Sequence, residues 1–179
     1  MSTLKHIQAI VLLPGIVTIV VPGALVSLTG AVNVGWSLTP PLNLLPLILG
    51  LLLVGLGFGL LFRTVVLLAT IGQGTLAPWT PTLKLVVRGI YRYVRNPMIS
   101  GVLSILLGEA VLLGSAPLLG WFLIALLLNL VYIPLLEEPG LARRFGADYA
   151  LYKENVPRWI PRLKPWQPPS DDRPDSGDR

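Results

Sequence analysis

The chain has 179 residues, of which 53% are hydrophobic and only 13% charged, with a mean hydropathy of +0.71. Soluble domains carry about a quarter charged residues, so this balance belongs to an integral membrane protein. There is no cysteine and a single histidine, His6, which excludes disulfides, thiolate metal sites and cysteine nucleophiles and argues against histidine-centred metal or triad chemistry. The net charge of +5 sits beside apolar segments, as membrane topology and lipid head groups require, and gives no case for nucleic acid.

Four apolar runs approach the roughly 20 residues that a spanning helix needs. The first, residues 7–28, is too long for a signal-peptide core and is read as a retained span, with Pro14 and Pro22 placed to kink it. The second begins near Leu42 and reaches Phe62 or beyond, with Gly50, Gly55, Gly57 and Gly59 as points of close helix approach. The third covers residues 98–113 and the fourth 117–136. Only Gly114, Ser115, Ala116 and Pro117 join these two, so they form a tight antiparallel hairpin.

The connections set the topology. Residues 30–41 and 114–117 carry no charge, whereas residues 63–97 carry Arg63, Lys84, Arg88, Arg92 and Arg95 with no acid, and the chain beyond residue 136 is again rich in cations. The positive-inside rule puts both charged regions, and both termini, in the cytoplasm. The fold class predicted is therefore all-α: a polytopic membrane protein of four spans, with a C-terminal helical hairpin and a cytoplasmic C-terminal segment. Past the fourth span Leu141, Phe145, Tyr149 and Tyr152 share one helical face, and PRWIPRLKPW suits an extended segment at head-group level. Residues 1–166 are expected to form one domain and 167–179 a disordered tail.

Three features carry chemistry. In RGIYRYVRNPMISG, residues 88–101, cations and tyrosines suit interfacial anchors, but Pro97 can also start the third span, leaving backbone N–H groups beside Arg95 for a carboxylate or phosphate. The hairpin returns Glu137 and Glu138 towards Arg92 and Arg95, either as a solvated acidic pair or as half of a cleft for a zwitterion. Glu109, in mid-span, is either a functional ionisable group or a neutral carboxyl hydrogen-bonded to Asn129.

Residues 84–166 resemble the superfamily of isoprenylcysteine carboxyl methyltransferases and phospholipid methyltransferases. The lead-in is Leu85, Val86, Gly89 and Tyr91; the box runs Arg95, Asn96, Pro97, Met98, Ile99, Ser100, Gly101; the acidic pair is Glu137 and Glu138; the tail is Phe145, Gly146, Tyr149, Tyr152, Val156 and Pro157. The resemblance implies S-adenosylmethionine as methyl donor and a lipophilic or prenylated acceptor entering from the membrane lipids; no metal is expected, and the expected location is the plasma or inner membrane of a prokaryote. It assigns Arg95, Asn96 and Glu138 to catalysis. Arg95 and Asn96 would take the cofactor carboxylate, Glu137 and Glu138 its amino group or ribose, and Tyr91 and Tyr132 its adenine or sulfonium. Gly89, Pro97 and Gly101 complete the cofactor set, and Glu109 and Asn129 are the acceptor-side candidates. Asn96 and Ile99 stand where the superfamily has histidine and tyrosine. Asparagine cannot titrate near neutral pH, which favours a carboxylate acceptor that needs no general base. Alternatives are phospholipid N-methylation, an NADPH-dependent sterol-reductase-like enzyme, and a catalytically silent binding protein of the same fold.

Overall fold

The computed structural model describes residues 12–71 and 85–168. Among these the structure is all-helical: α1 (Leu12–Thr29), α2 (Leu44–Ile71), α3 (Pro97–Leu113), α4 (Ala116–Tyr132) and α5 (Glu138–Asn155), with a 3₁₀ turn at Gly89–Arg92 before α3. α1, α2 and the continuous helix Ala116–Asn155 are long and apolar enough to cross a membrane. The 17 residues of α3 rise about 25 Å, close to the thickness of a hydrocarbon core. Residues 7–11 of the first apolar run, the connection at 72–84, and residues 169–179 of the tail lie outside the described residues.

α2 and α3 pack antiparallel along a seam of small residues. A Cβ on Gly57 would come within 2.6 Å of the Gly101 carbonyl, and one on Gly108 within 2.8 Å of the Val54 nitrogen. Gly50 meets the backbone of Leu112 in the same way, while Gly55 and Gly59 face open space. Ser104 bridges the middle of the seam by donating to the carbonyl of Leu53 at 2.8 Å. Lipid offers no hydrophobic drive for helix association, so such backbone-to-backbone contact is what fixes the pair. α3 turns into α4 at Gly114, whose φ of +57° a side chain would strain. The uncharged loop closes this end, with the Asn33 N–H on the Leu113 carbonyl and the Trp36 indole on the Val111 carbonyl, both at 2.8 Å.

Prolines shape α1 and the end of α4 by one device. In α1 the π turn Ile16–Val20 sends the Val21 N–H to the carbonyl of Ile16. The next donor in that register is Pro22, which has no N–H, so the Val17 carbonyl has no helical partner. The Trp121 indole of α4 fills the gap at 3.0 Å and ties α1 to the hairpin. Trp121→Phe keeps the ring and orphans that carbonyl, and should cost about 1–2 kcal/mol in thermal unfolding. In a Pro22→Ala background, where the helix can supply its own donor, the loss should shrink. An unchanged loss there would contradict the mechanism.

The same pattern recurs at Ile133–Glu137. The Glu138 N–H returns to the carbonyl of Ile133, and Pro139 leaves the Pro134 carbonyl without a helical donor. Because this is a π turn and not a stop, α4 continues into α5 without the break expected near residue 136. The break comes later, at Gly146, with φ 50° and ψ −127°. Leu141, Phe145, Tyr149 and Tyr152 do converge, together with Val156 and Trp166, but across this bend and not along one straight helical face.

Candidate functional site

The site lies at the charged end of the bundle, where three pieces of chain meet: the box segment before α3, the α4–α5 junction, and residues 157–166. The last of these is a strap folded back on the box. The Arg95 N–H donates to the Pro157 carbonyl at 2.9 Å, the Arg162 N–H to Tyr93 at 3.0 Å, and the Trp166 N–H to Arg92 at 2.9 Å. The Arg92 Nε returns a bond to the Trp166 carbonyl at 2.6 Å, and the Tyr152 hydroxyl donates to the Tyr91 carbonyl at 2.7 Å. Prolines 157, 161 and 165 fix φ and carry no N–H, which suits the extended strap.

Glu138 is the hub. Its Oε1 accepts from Arg95 Nη1 at 3.0 Å and from Arg158 Nε at 2.6 Å, and its Oε2 lies 2.9 Å from Lys153 Nζ. The side chains of Glu138 and Arg95 are only 4% and 9% exposed. Burial alone would raise the Glu138 carboxyl, but the hydrogen bonds from Arg158 and Lys153 and the charge of Arg95 outweigh it and hold the group at about 2. Glu137 goes the other way, raised by burial and then by the charge of Glu138. Two adjacent carboxyls thus differ in character: one is held low by three cations, the other is shifted upward by burial and by its neighbour's charge. The Tyr91 hydroxyl is likewise raised, first by desolvation and then by the charge of Glu137.

One donor in this cluster is unused. Arg95 Nε is buried and has no hydrogen-bond partner among the described residues. Beside it, Asn96 precedes the first turn of α3 without using its side chain as a cap, while its carbonyl accepts both the N–H and the hydroxyl of Ser100 at 3.0 Å. A helix start with an unpaired guanidinium N–H next to it suits a carboxylate or phosphate.

The box segment has a second side. Arg95 turns to Glu138, but Val94 and Pro97 line a cavity of about 980 Å³, walled also by α2 from Leu56 to Leu67, by Gly89, by Ser100 and Ser104 of α3, and by Trp159, Pro161 and Pro165 of the strap. The lining is apolar except for the serines, Tyr93 and two cations, Arg63 and Arg92; among the described residues it includes no acid and no histidine.

The residues expected from sequence therefore divide. Tyr91, Arg95, Glu137 and Glu138 come together, with Asn96 adjoining. Gly89 and Pro97 belong to the cavity. Gly101 is in the α2–α3 seam, where a Cβ would lie 3.0 Å from the Gly57 carbonyl. Tyr132 stands exposed at the end of α4. Asn129 donates to the Ala125 carbonyl of its own helix at 2.8 Å and not to Glu109, whose Oε2 is buried without a partner among the described residues. Lys153 and Arg158 were not foreseen. Residues 138 and 153 would stand about 22 Å apart along an unbroken helix, and only the bend at Gly146 brings them into contact.

The sequence model of the family described as phospholipid methyltransferase matches residues 45–148, more than half of the chain. The match runs from the start of α2 through the box and the acidic pair to just beyond the Gly146 bend. No curated protein and no solved structure matches the chain.

Proposed function

The chain belongs to the phospholipid methyltransferase family of membrane methyltransferases, and from this we propose that it methylates a lipophilic carboxylate acceptor, with S-adenosylmethionine as donor. The observation that carries the cofactor half is the buried, unpartnered Nε of Arg95 beside the start of α3. Glu138 fixes the guanidinium through Nη1, leaving Nε directed at a ligand carboxylate, with the Asn96 side chain as a second contact. Glu137 and the Pro134 carbonyl, which lacks a donor from its own helix, supply acceptors for an ammonium group, and Tyr91 a neighbouring aromatic face. The cofactor supplies an electrophilic methyl group on a sulfonium.

The cavity supports the acceptor half. Arg63 and Arg92 attract an anion, and the apolar wall along α2 and α3 takes a hydrocarbon chain. A carboxylate needs no deprotonation before it accepts a methyl group, which suits a lining without histidine or acid among the described residues. An ammonium acceptor would have to lose a proton there with no base and two cations nearby. Because cation and anion are neutralised in the transfer, a water-poor cavity that aligns them favours reaction. The run of cations without acids supports placing this end, and both termini, at the cytoplasmic face.

Isothermal titration of the purified protein tests the reading. S-adenosylmethionine should bind and NADPH should not. Arg95→Lys keeps a positive charge for Glu138 but lacks the Nε donor, and should weaken S-adenosylmethionine about tenfold, or about 1.4 kcal/mol. Arg63→Gln should leave that affinity unchanged while raising KM for a prenyl or acyl carboxylate. NADPH binding in place of S-adenosylmethionine would replace this reading with a reductase.

A further inference from the structure

Ile160 and Leu163 are the most exposed large apolar side chains of the strap, at 79% and 99%. On a segment outside the bilayer this would be a costly surface. The depth of the strap says otherwise. Trp159, next to Ile160, packs against the cluster of Val102, Leu103, Leu106 and Ala125. Leu103 lies about 9 Å along α3 from its charged end, and Ala125 lies within the apolar run of α4. A segment whose indole reaches that cluster is beside the spanning helices and not above them.

The strap also has two faces. Trp159, Pro161 and Pro165 close the cavity, whereas Ile160 and Leu163 turn away from it. Lys164, exposed and without an ion-pair partner among the described residues, adjoins Leu163, and a lysine can reach head groups from an apolar stem. We infer that the strap is a membrane-embedded element: Ile160 and Leu163 are its lipid-facing side chains, and lipid against them holds the strap on the cavity. The occupant of this apolar face is the bilayer. The inference rests on the chain spanning a membrane and not on the methyltransferase reading, so either can fail without the other.

The chain has no cysteine, so a single introduced one is a unique attachment point. Leu163→Cys touches no packed side chain and leaves the fold intact. A nitroxide at this position, with the full chain in vesicles of phosphatidylcholine and phosphatidylglycerol, reports collisions with dissolved oxygen and with a water-soluble nickel chelate. Leu127→Cys on the exposed face of α4 and Glu154→Cys on the exposed side of α5 are the two references. The oxygen-to-nickel ratio at Leu163→Cys should match Leu127→Cys and exceed Glu154→Cys several-fold. A ratio equal to that of Glu154→Cys would overturn the inference. So would shielding from both reagents with spin–spin broadening, because a second copy of the chain would then cover the face.

Discussion

Glu138→Ala is expected to cost about 3–5 kcal/mol of stability, the range for removing one partner of a buried ion pair. The reason is what remains behind. Arg95, 9% exposed, would keep a buried positive charge with, among the described residues, only the Tyr149 hydroxyl at 3.4 Å as a side-chain partner. Arg158 would lose its 2.6 Å bond, and with it a tie between the strap and α5. The other members of the cluster should matter far less. Lys153, whose side chain is half exposed, should lose under about 1 kcal/mol as Lys153→Ala, since water screens and replaces its contact. Thermal unfolding in detergent gives the stabilities, and tryptophan emission reports release of Trp159 and Trp166. Equal and small effects from Glu138→Ala and Lys153→Ala would mean that the hub is an ordinary surface ion pair. The predicted asymmetry also bears on mechanism. A carboxylate that holds three cations is better suited to orienting Arg95 than to meeting a cofactor directly, which leaves Glu137 as the freer acidic group.

Much of the bundle was legible because membrane helices are written in simple terms. Apolar length gave the spans, the four-residue link gave the α3–α4 hairpin, and Gly50 and Gly57 marked the close helix pair. Gly55 and Gly59 looked identical in sequence and pack against nothing, since which face of an all-apolar helix turns inward has no hydropathy signal. The box and the acidic pair were readable through motif order. The cavity was not, because its walls come from α2, the box and the strap, three segments far apart in sequence. Of the two readings open for Glu109, the pairing with Asn129 lost to a nearer option: an asparagine in a helix can bond the carbonyl four residues back. The continuous α4–α5 helix was missed because a proline usually signals a stop, and a π turn lets the helix pass it.

Gly146 joins fold to site, and its replacement should damage both. At φ 50° and ψ −127° a residue with a Cβ is strained, at about 1–3 kcal/mol for such a conformation. Sterics with neighbours are not the cause, since a Cβ on Gly146 would meet nothing within 4 Å. Gly140 offers the matched control, in the same helix and equally open, but without a positive φ. Gly140→Ala should therefore be neutral or stabilising by up to about 1 kcal/mol, from the lower chain entropy of alanine. Gly146→Ala should destabilise by about 1–3 kcal/mol. It should also weaken S-adenosylmethionine binding, because a straighter α5 draws Lys153, Tyr149 and the strap away from Glu138, and Glu138 then no longer holds Arg95 in one orientation. The decisive comparison is the pair of variants measured side by side in unfolding and titration. If Gly146→Ala matched Gly140→Ala in both, the bend would not depend on glycine. The convergence of residues 138, 153 and 158 would then need a different cause.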